Sequence, residues 1–321
     1  MGLNTYLGKF FRFAKNPLPY FKVMVDFLLK IRSDVVSKVA PFSLLDDKYY
    51  LQYLFHKTFG YQLDLRNPQT FNEKLQWIKL YYRNSLFTKL ADKYAVRSYV
   101  EEKIGTQYLP ILYGIYEDPM NIQWDQLPGR FVIKATHGCH YNILCKDKSE
   151  LDKAETKKQL NGWLNENYYE VASSREWQYK NIPPKIVIEE YLEGDKEKGL
   201  VDYKFWCFWG EPELITVHFD RFNDYKVAFL DENWKDSGIQ FSKPRTNFIP
   251  EKPAHFEEMM LISRKLSEGI PHCRVDLYYF NNRIIFGEMT LCTGGGFDKF
   301  DSYESDLLFG KPFVLPLEIK N

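Results

Sequence analysis

An α+β fold, in which antiparallel sheets follow an N-terminal helical region, is what the 321 residues predict. Two observations predict it. Apolar residues recur at helical spacing up to about residue 87, and beyond Gly105 the texture changes to short β-rich runs bounded by Gly, Pro or Asp. Runs of strands with only occasional helices favour antiparallel pairing over the strict strand–helix alternation of a parallel sheet. With 45% hydrophobic residues the chain can bury a sizeable core, and it exceeds the length at which one core stops growing, so two lobes are expected.

Residues 1–40 carry Lys9, Arg12, Lys15, Lys22, Lys30, Arg32 and Lys38 against Asp26 and Asp34, interleaved with Phe10, Phe11, Phe13, Tyr20 and Phe21. A basic amphipathic helix of this kind can rest on an anionic membrane surface, which would give residues 1–40 a peripheral membrane contact. The plainer alternative is a helix packed on the body with its cations in water. No apolar run approaches the roughly 18 residues that a membrane span needs, and no apolar signal region follows the first cations. The chain is therefore expected in the cytoplasm, at most peripheral to the inner face of the membrane.

Thr70 and Glu73 have the spacing of a capping box, and Phe71, Leu75, Ile78 and Tyr82 follow on one helical face. A second helix is expected from a cap at Asp92 to a stop at Gly105. Strands are expected at Tyr108–Tyr116 and Phe131–Ala135, then a long polar helix over 149–172. Further strands follow at Lys185–Leu192, Asp202–Trp209, Glu213–Phe219 and Tyr225–Leu230, a helix at about 253–268, and two last strands, Cys273–Tyr279 and Ile284–Thr290. The expected division is a helical region 1–87, a small lobe 88–194 and a C-terminal lobe 195–321.

Lys plus Arg equals Asp plus Glu at 43 each, which removes any global electrostatic argument for a nucleic-acid partner. The five cysteines are an odd set without a CxxC pair and fit reduced thiols.

Lys134 ends an apolar strand and opens into Thr136-His137-Gly138-Cys139-His140, a plausible way to bring one cation and several backbone N–H groups to a polyphosphate. His137, Cys139 and His140 also offer three transition-metal ligands, but no fourth stands at zinc spacing. Near the C-terminus, Arg274 and Asp276 share a strand face, as do Glu288 and Thr290, and Gly294-Gly295-Gly296 follows. Two acids and an arginine on an apolar hairpin call for a cation or phosphate to pair with. Whether the acids share a face depends on the turn. A two-residue Asn281-Asn282 turn pairs Asp276 with Gly287 and sends Glu288 to the other side, whereas a three-residue loop Phe280-Asn281-Asn282 puts Glu288 opposite Arg274 and diagonal to Asp276. Mg²⁺ binding by both acids needs the second register. The strand Ile186–Leu192 turns polar and ends at Gly194, as a hinge between lobes would, and Asp202 and Lys204 share a face of the next strand.

In order and spacing, Asn67-Pro68 with Thr70–Leu75, Ala91–Tyr94, Phe131–Lys134 with His137-Gly138, Asp202–Phe205 and Phe286–Thr290 resemble ATP-grasp enzymes, specifically the TupA-like branch associated with teichuronopeptide and other bacterial surface polysaccharides. The resemblance covers about two thirds of the chain. It implies the two-lobed ATP-grasp fold with the nucleotide between the lobes. It also implies an amide ligase that uses ATP and Mg²⁺ to phosphorylate a carboxylate, such as a uronic acid on a glycan, and to pass it to an amine or amino acid. Carried onto this sequence, Lys93 and Lys134, with His137 and Gly138, would hold ATP phosphates. Glu189, Glu190, Tyr191 and Leu192 would line the adenine, with Asp202 near the ribose and Lys204 near the phosphates or the acceptor. Asp276 and Glu288 would bind Mg²⁺. Arg274 and the backbone of Gly294, Gly295 and Gly296 would stabilise the acyl phosphate. Thr290 stands where many members carry Asn, and its hydroxyl still offers an oxygen ligand. A glycosyltransferase using a nucleotide sugar and a non-catalytic nucleotide-binding scaffold are the competing readings.

Overall fold

Helix α1 (Asp47–Phe59) precedes helix α2 (Phe71–Tyr81), which starts at the capping box that the sequence predicts. The Thr70 hydroxyl accepts from Glu73 N at 3.2 Å, and Glu73 Oε2 accepts from Thr70 N at 3.0 Å. The computed structural model describes residues 46–194, 200–219, 225–241 and 243–316, and these elements belong to the compact unit Asp47–Asn321. The basic segment 1–40, with its expected membrane contact, lies outside the described residues. Among those described, no helix is long and apolar enough to cross a membrane.

Helices α3 (Ser85–Ala91) and α4 (Val96–Ile104) follow. Asp92 caps a turn rather than the helix itself, accepting from Tyr94 N and Ala95 N, so α4 begins three residues later than its cap suggests. Four strands make the first sheet: β1 (Leu112–Tyr116), β2 (Phe131–Ala135), β3 (Asn142–Cys145) and β4 (Ile186–Glu190), all pairs antiparallel in the order β1-β4-β2-β3. Between β3 and β4, the long helix expected over 149–172 is two pieces, α5 (Lys153–Leu164) and α6 (Tyr168–Val171). Asn165 ends the first and Asn167 caps the second through Tyr169 N, each offering the backbone a local alternative to a continuing helix.

The second sheet runs β7-β6-β5-β8-β9, again antiparallel throughout, from β5 (Asp202–Phe208), β6 (Glu211–Phe219), β7 (Lys226–Leu230), β8 (Cys273–Phe280) and β9 (Arg283–Thr290). Helix α7 (Phe256–Ser267) packs on it, and α8 (Tyr303–Gly310) packs on α2. Phe71, Leu75 and Ile78 of α2, with Tyr82 just after it, are buried in the core of this sheet, where the Phe71 ring meets those of Trp206, Phe208, His272, Phe309 and Phe313. Full burial of one such side chain contributes roughly 1.5–3 kcal/mol. The apolar stripe of α2 therefore fixes this helix to the sheet whose strands β8 and β9 carry Asp276 and Glu288.

Candidate functional site

The last hairpin does not follow the three-residue loop that shared-face acids were expected to need. Phe280 pairs with Arg283, so Asn281-Asn282 is a two-residue turn, with φ of 48° and 59°, values that Asn tolerates. By itself that turn sends Glu288 to the wrong face. The register recovers because it shifts between Asp276 and Leu277: Leu277 pairs with Phe286 and Asp276 with Glu288, leaving Gly287 as the extra residue of a β-bulge. Asp276 then stands directly opposite Glu288 and Arg274 opposite Thr290, while on the other side of β8 Lys204 pairs with Asp276.

These side chains form one polar network on the sheet. Lys204 Nζ bonds to Asp276 Oδ2 and lies 2.9 Å from Asp202 Oδ2. Arg274 grips Asp276 through Nε (2.6 Å) and Nη2 (2.7 Å), and the same Nη2 reaches Glu288 Oε1 at 3.2 Å and Thr290 Oγ1 at 3.1 Å. Thr290 Oγ1 in turn donates to Glu288 Oε1 at 3.1 Å. Burial pulls Arg274 toward its neutral form, but Asp276 and Glu288 outweigh it and hold the guanidinium above its ordinary pKa.

A cavity of about 780 Å³ joins this network to the first sheet, with Lys93, Lys134 and Glu189 on its wall together with Asp202, Lys204, Arg274, Asp276, Glu288 and Thr290. That volume lies in the range of small-ligand sites. Lys134 and Glu189, diagonal neighbours on β2 and β4, are ion-paired, and Arg97 lies 3.9 Å from the same carboxylate. Lys93 Nζ bonds to Gly138 O, tying the turn before α4 to the loop after β2.

Other expected positions fall elsewhere. His137 is turned away from the cavity: its Nε2 lies 2.9 Å from Trp163 O, its ring borders a separate depression, and burial lowers its pKa. Cys139 meets Tyr179 Oη at 3.2 Å, so these two do not converge, and no group of three or more His, Cys, Asp or Glu placed to hold a metal ion occurs among the described residues. The cavity wall takes Glu189 but not Glu190, Tyr191 or Leu192; Glu190 instead accepts from Ile111 N at 3.2 Å. Gly294 and Gly295 line the cavity and Gly296 does not. All three have positive φ, but Gly295 N donates to Cys292 O at 2.8 Å, so that N–H is spent within the turn.

The structure adds groups that the sequence does not announce. Lys79, only 1% exposed on α2, donates at 2.6 Å to both Ser174 O and Gly295 O, and burial lowers its pKa to about 8. The one signal for it is a lysine four residues after Leu75, on a stripe that is otherwise apolar. Glu176 lines the cavity beside Ser174, in a stretch with no periodic pattern to flag it.

The donor set suits a hard divalent cation. Asp276, Glu288 and Thr290 present oxygens on one face, and the network of Asp202, Asp276 and Glu288 with Lys204 and Arg274 has one more anion than cations. Arg274 Nη2 bridges all three oxygen donors.

The family described as TupA-like ATPgrasp matches residues 73–314. Among curated proteins none matches the chain. Among solved structures, a D-alanine–D-alanine ligase from Helicobacter pylori is 15% identical with a TM-score of 0.42, over 70% of this chain and 61% of that one. An N5-carboxyaminoimidazole synthase from Aspergillus clavatus, in complex with ADP and 5-aminoimidazole ribonucleotide, is 12% identical at 0.36 over 63% and 44%. A Bacillus anthracis D-alanine–D-alanine ligase complexed with ATP is 15% identical at 0.37 over 63% and 55%. This chain thus spans less than two thirds of the length of each.

Proposed function

Because this chain belongs to the TupA-like ATP-grasp family, we propose that it is an ATP-dependent carboxylate–amine ligase, and that it joins an amino acid or amine to a uronic acid of a bacterial surface polysaccharide. The observation that carries the reading is the single cavity on which Lys93 and Lys134 meet Lys204, Arg274, Asp276, Glu288 and Thr290. A triphosphate, a divalent cation and a carboxylate acceptor ask for that combination of charges. The reading includes a helical region to residue 87, a small lobe to 194 and a C-terminal lobe beyond.

In this reading Lys93 and Lys134 hold the phosphates. Glu189 fixes Lys134, and Asp202 faces the ribose. Asp276, Glu288 and Thr290 would hold Mg²⁺, which when bound would neutralise charge on the transferring phosphoryl group. Arg274 would meet the acyl phosphate, where negative charge grows during transfer, and Lys204 keeps Asp202 and Asp276 in place. The reaction follows from the charges. A carboxylate resists attack by an amine because it is an anion with a poor leaving group. Its oxygen takes the γ-phosphoryl group with loss of ADP, and the amine then displaces phosphate.

The test is ADP and phosphate release by the purified full chain with ATP, Mg²⁺, a panel of uronic acids and a panel of amines. Release that requires both co-substrates is the expected result. Release of sugar from a nucleotide sugar points to a glycosyltransferase instead, and ATP binding without turnover to a scaffold.

A further inference from the structure

Five carboxylates line the cavity: Glu176, Glu189, Asp202, Asp276 and Glu288. Four are ion-paired, Glu189 to Lys134, Asp202 and Asp276 to Lys204, and Glu288 to Arg274. Glu176 makes no ion pair among the described residues; its Oε1 accepts from Ser174 Oγ at 2.8 Å and its Oε2 from Gln178 Nε2 at 3.0 Å, both neutral donors. A carboxylate clamped by a lysine or arginine is a poor base, whereas one held by neutral donors keeps lone pairs for an incoming proton.

Its place matters as much as its partners. Glu176 Oε1 lies 3.5 Å from where a Cβ on Gly295 would sit, beside the glycine turn on the cavity wall. Glu176, Glu288, Tyr179 and Cys139 line the same cavity, and both carboxylates act electrostatically on the Tyr179 hydroxyl and the Cys139 thiol. On the premise that the ligase reading holds, we propose that Glu176 receives the ammonium group of the amine substrate and takes its proton, making Glu176 a catalytic residue and the acceptor a primary ammonium compound.

The step balances. The ammonium group gives one proton to the Glu176 carboxylate, and the nitrogen lone pair so released forms the C–N bond to the acyl carbon. The C–O bond to phosphate breaks with its electron pair, and the second nitrogen proton leaves with phosphate as hydrogen phosphate. Burial raises the pKa of Glu176, which Lys79 opposes, moving it toward a useful base. The titratable groups facing it are Lys79 on α2, Cys139 after β2, Tyr168 and Tyr179 on its own segment, and Cys292 after β9.

Glu176→Gln tests this. Gln178 Oε1 is buried without a hydrogen-bond partner, so a flip of the Gln178 amide would accommodate the new one. The full chain is given ATP, Mg²⁺ and a panel of uronates, with either a panel of amino acids or hydroxylamine as nucleophile. Hydroxylamine is uncharged at neutral pH and needs no base to become reactive. Expected for Glu176→Gln is hydroxamate formation at the wild-type rate and amino-acid coupling slower by at least about 100-fold, with the acidic limb of its kcat/KM profile lost. Glu176→Asp, which keeps a proton acceptor, should fall between. Equal loss with both nucleophiles, loss with neither, or an Asp variant no faster than Gln overturns the assignment while leaving the ligase reading intact. Wild-type protein that forms no hydroxamate from any uronate refutes the ligase reading, and this assignment with it.

Discussion

Glu288 stands directly across the last hairpin from Asp276 because Gly287 is bulged out between Phe286 and Glu288. A Cβ on Gly287 would lie 2.9 Å from the Tyr278 ring and 3.1 Å from the backbone oxygen of Asp276, and the latter cannot step aside without moving an acid. Gly287→Ala is therefore expected to leave a folded protein, less stable by about 1–3 kcal/mol. The Mg²⁺ concentration that half-saturates ADP release should rise about 10-fold or more. A magnesium titration beside a urea melt checks this, and an unchanged magnesium dependence would refute it.

Asp276 and Glu288 should fail differently. Asp276 is buried between Lys204 and Arg274, and Asp276→Asn leaves two buried cations short of an anion, at a cost of about 3–5 kcal/mol. The Glu288 side chain is 46% exposed, so Glu288→Gln should change stability by under about 1 kcal/mol. Both should lower ADP release at least about 100-fold. Wild-type turnover in Glu288→Gln would remove the metal assignment.

Lys79→Met removes the donor shared by Ser174 O and Gly295 O and leaves both carbonyls buried. A loss of about 2–4 kcal/mol is expected. New proteolytic cuts should appear near Ser174 and the glycine turn, mapped by mass spectrometry. A variant as stable and resistant as wild type would show that the lysine anchors nothing.

Asp306 on α8 titrates high, its pKa raised from 3.8 to about 6 by burial, although Asn72 donates to it through N at 3.1 Å and Nδ2 at 2.9 Å. The folded state therefore holds a proton that the unfolded state releases between about pH 4 and 6. The protonated group favours folding below pH 4, and that contribution, roughly 3 kcal/mol, is lost as pH rises through 6. Asp306→Asn should flatten this part of the stability profile and exceed wild type in Tm at pH 7 but not at pH 4. Parallel Tm profiles for the two proteins would contradict it.

How much of this is legible in the sequence varies with the range of the cause. The Thr70–Glu73 cap and the strand Phe131–Ala135 are local patterns, and both form at the expected residues. The grouping of Arg274, Asp276, Glu288 and Thr290 follows from strand alternation, but the bulge that completes it depends on pairing across strands and has no local mark except a glycine. The break at Asn165–Asn167 is a contest between side-chain caps and helix continuation that composition does not decide. Glu176 lies in irregular chain, where no periodicity distinguishes a cavity residue from a solvated one. Lys79 reads as a surface lysine until its acceptors arrive from residues 174 and 295.

Four polar side chains of α2 have partners far along the chain: Asn72 with Asp298 and Asp306, Gln76 with Gly296, Lys79 with Gly295 and Lys74 with Gly310, separations of 216 to 236 residues. During synthesis this helix leaves the ribosome long before any of them exists. Its contacts with the glycine turn close long loops, whose entropic cost grows with their length. A chain stopped short of residue 294 would lack the carbonyls that Gln76 and Lys79 hold and the Phe309 and Phe313 rings that pack on Phe71.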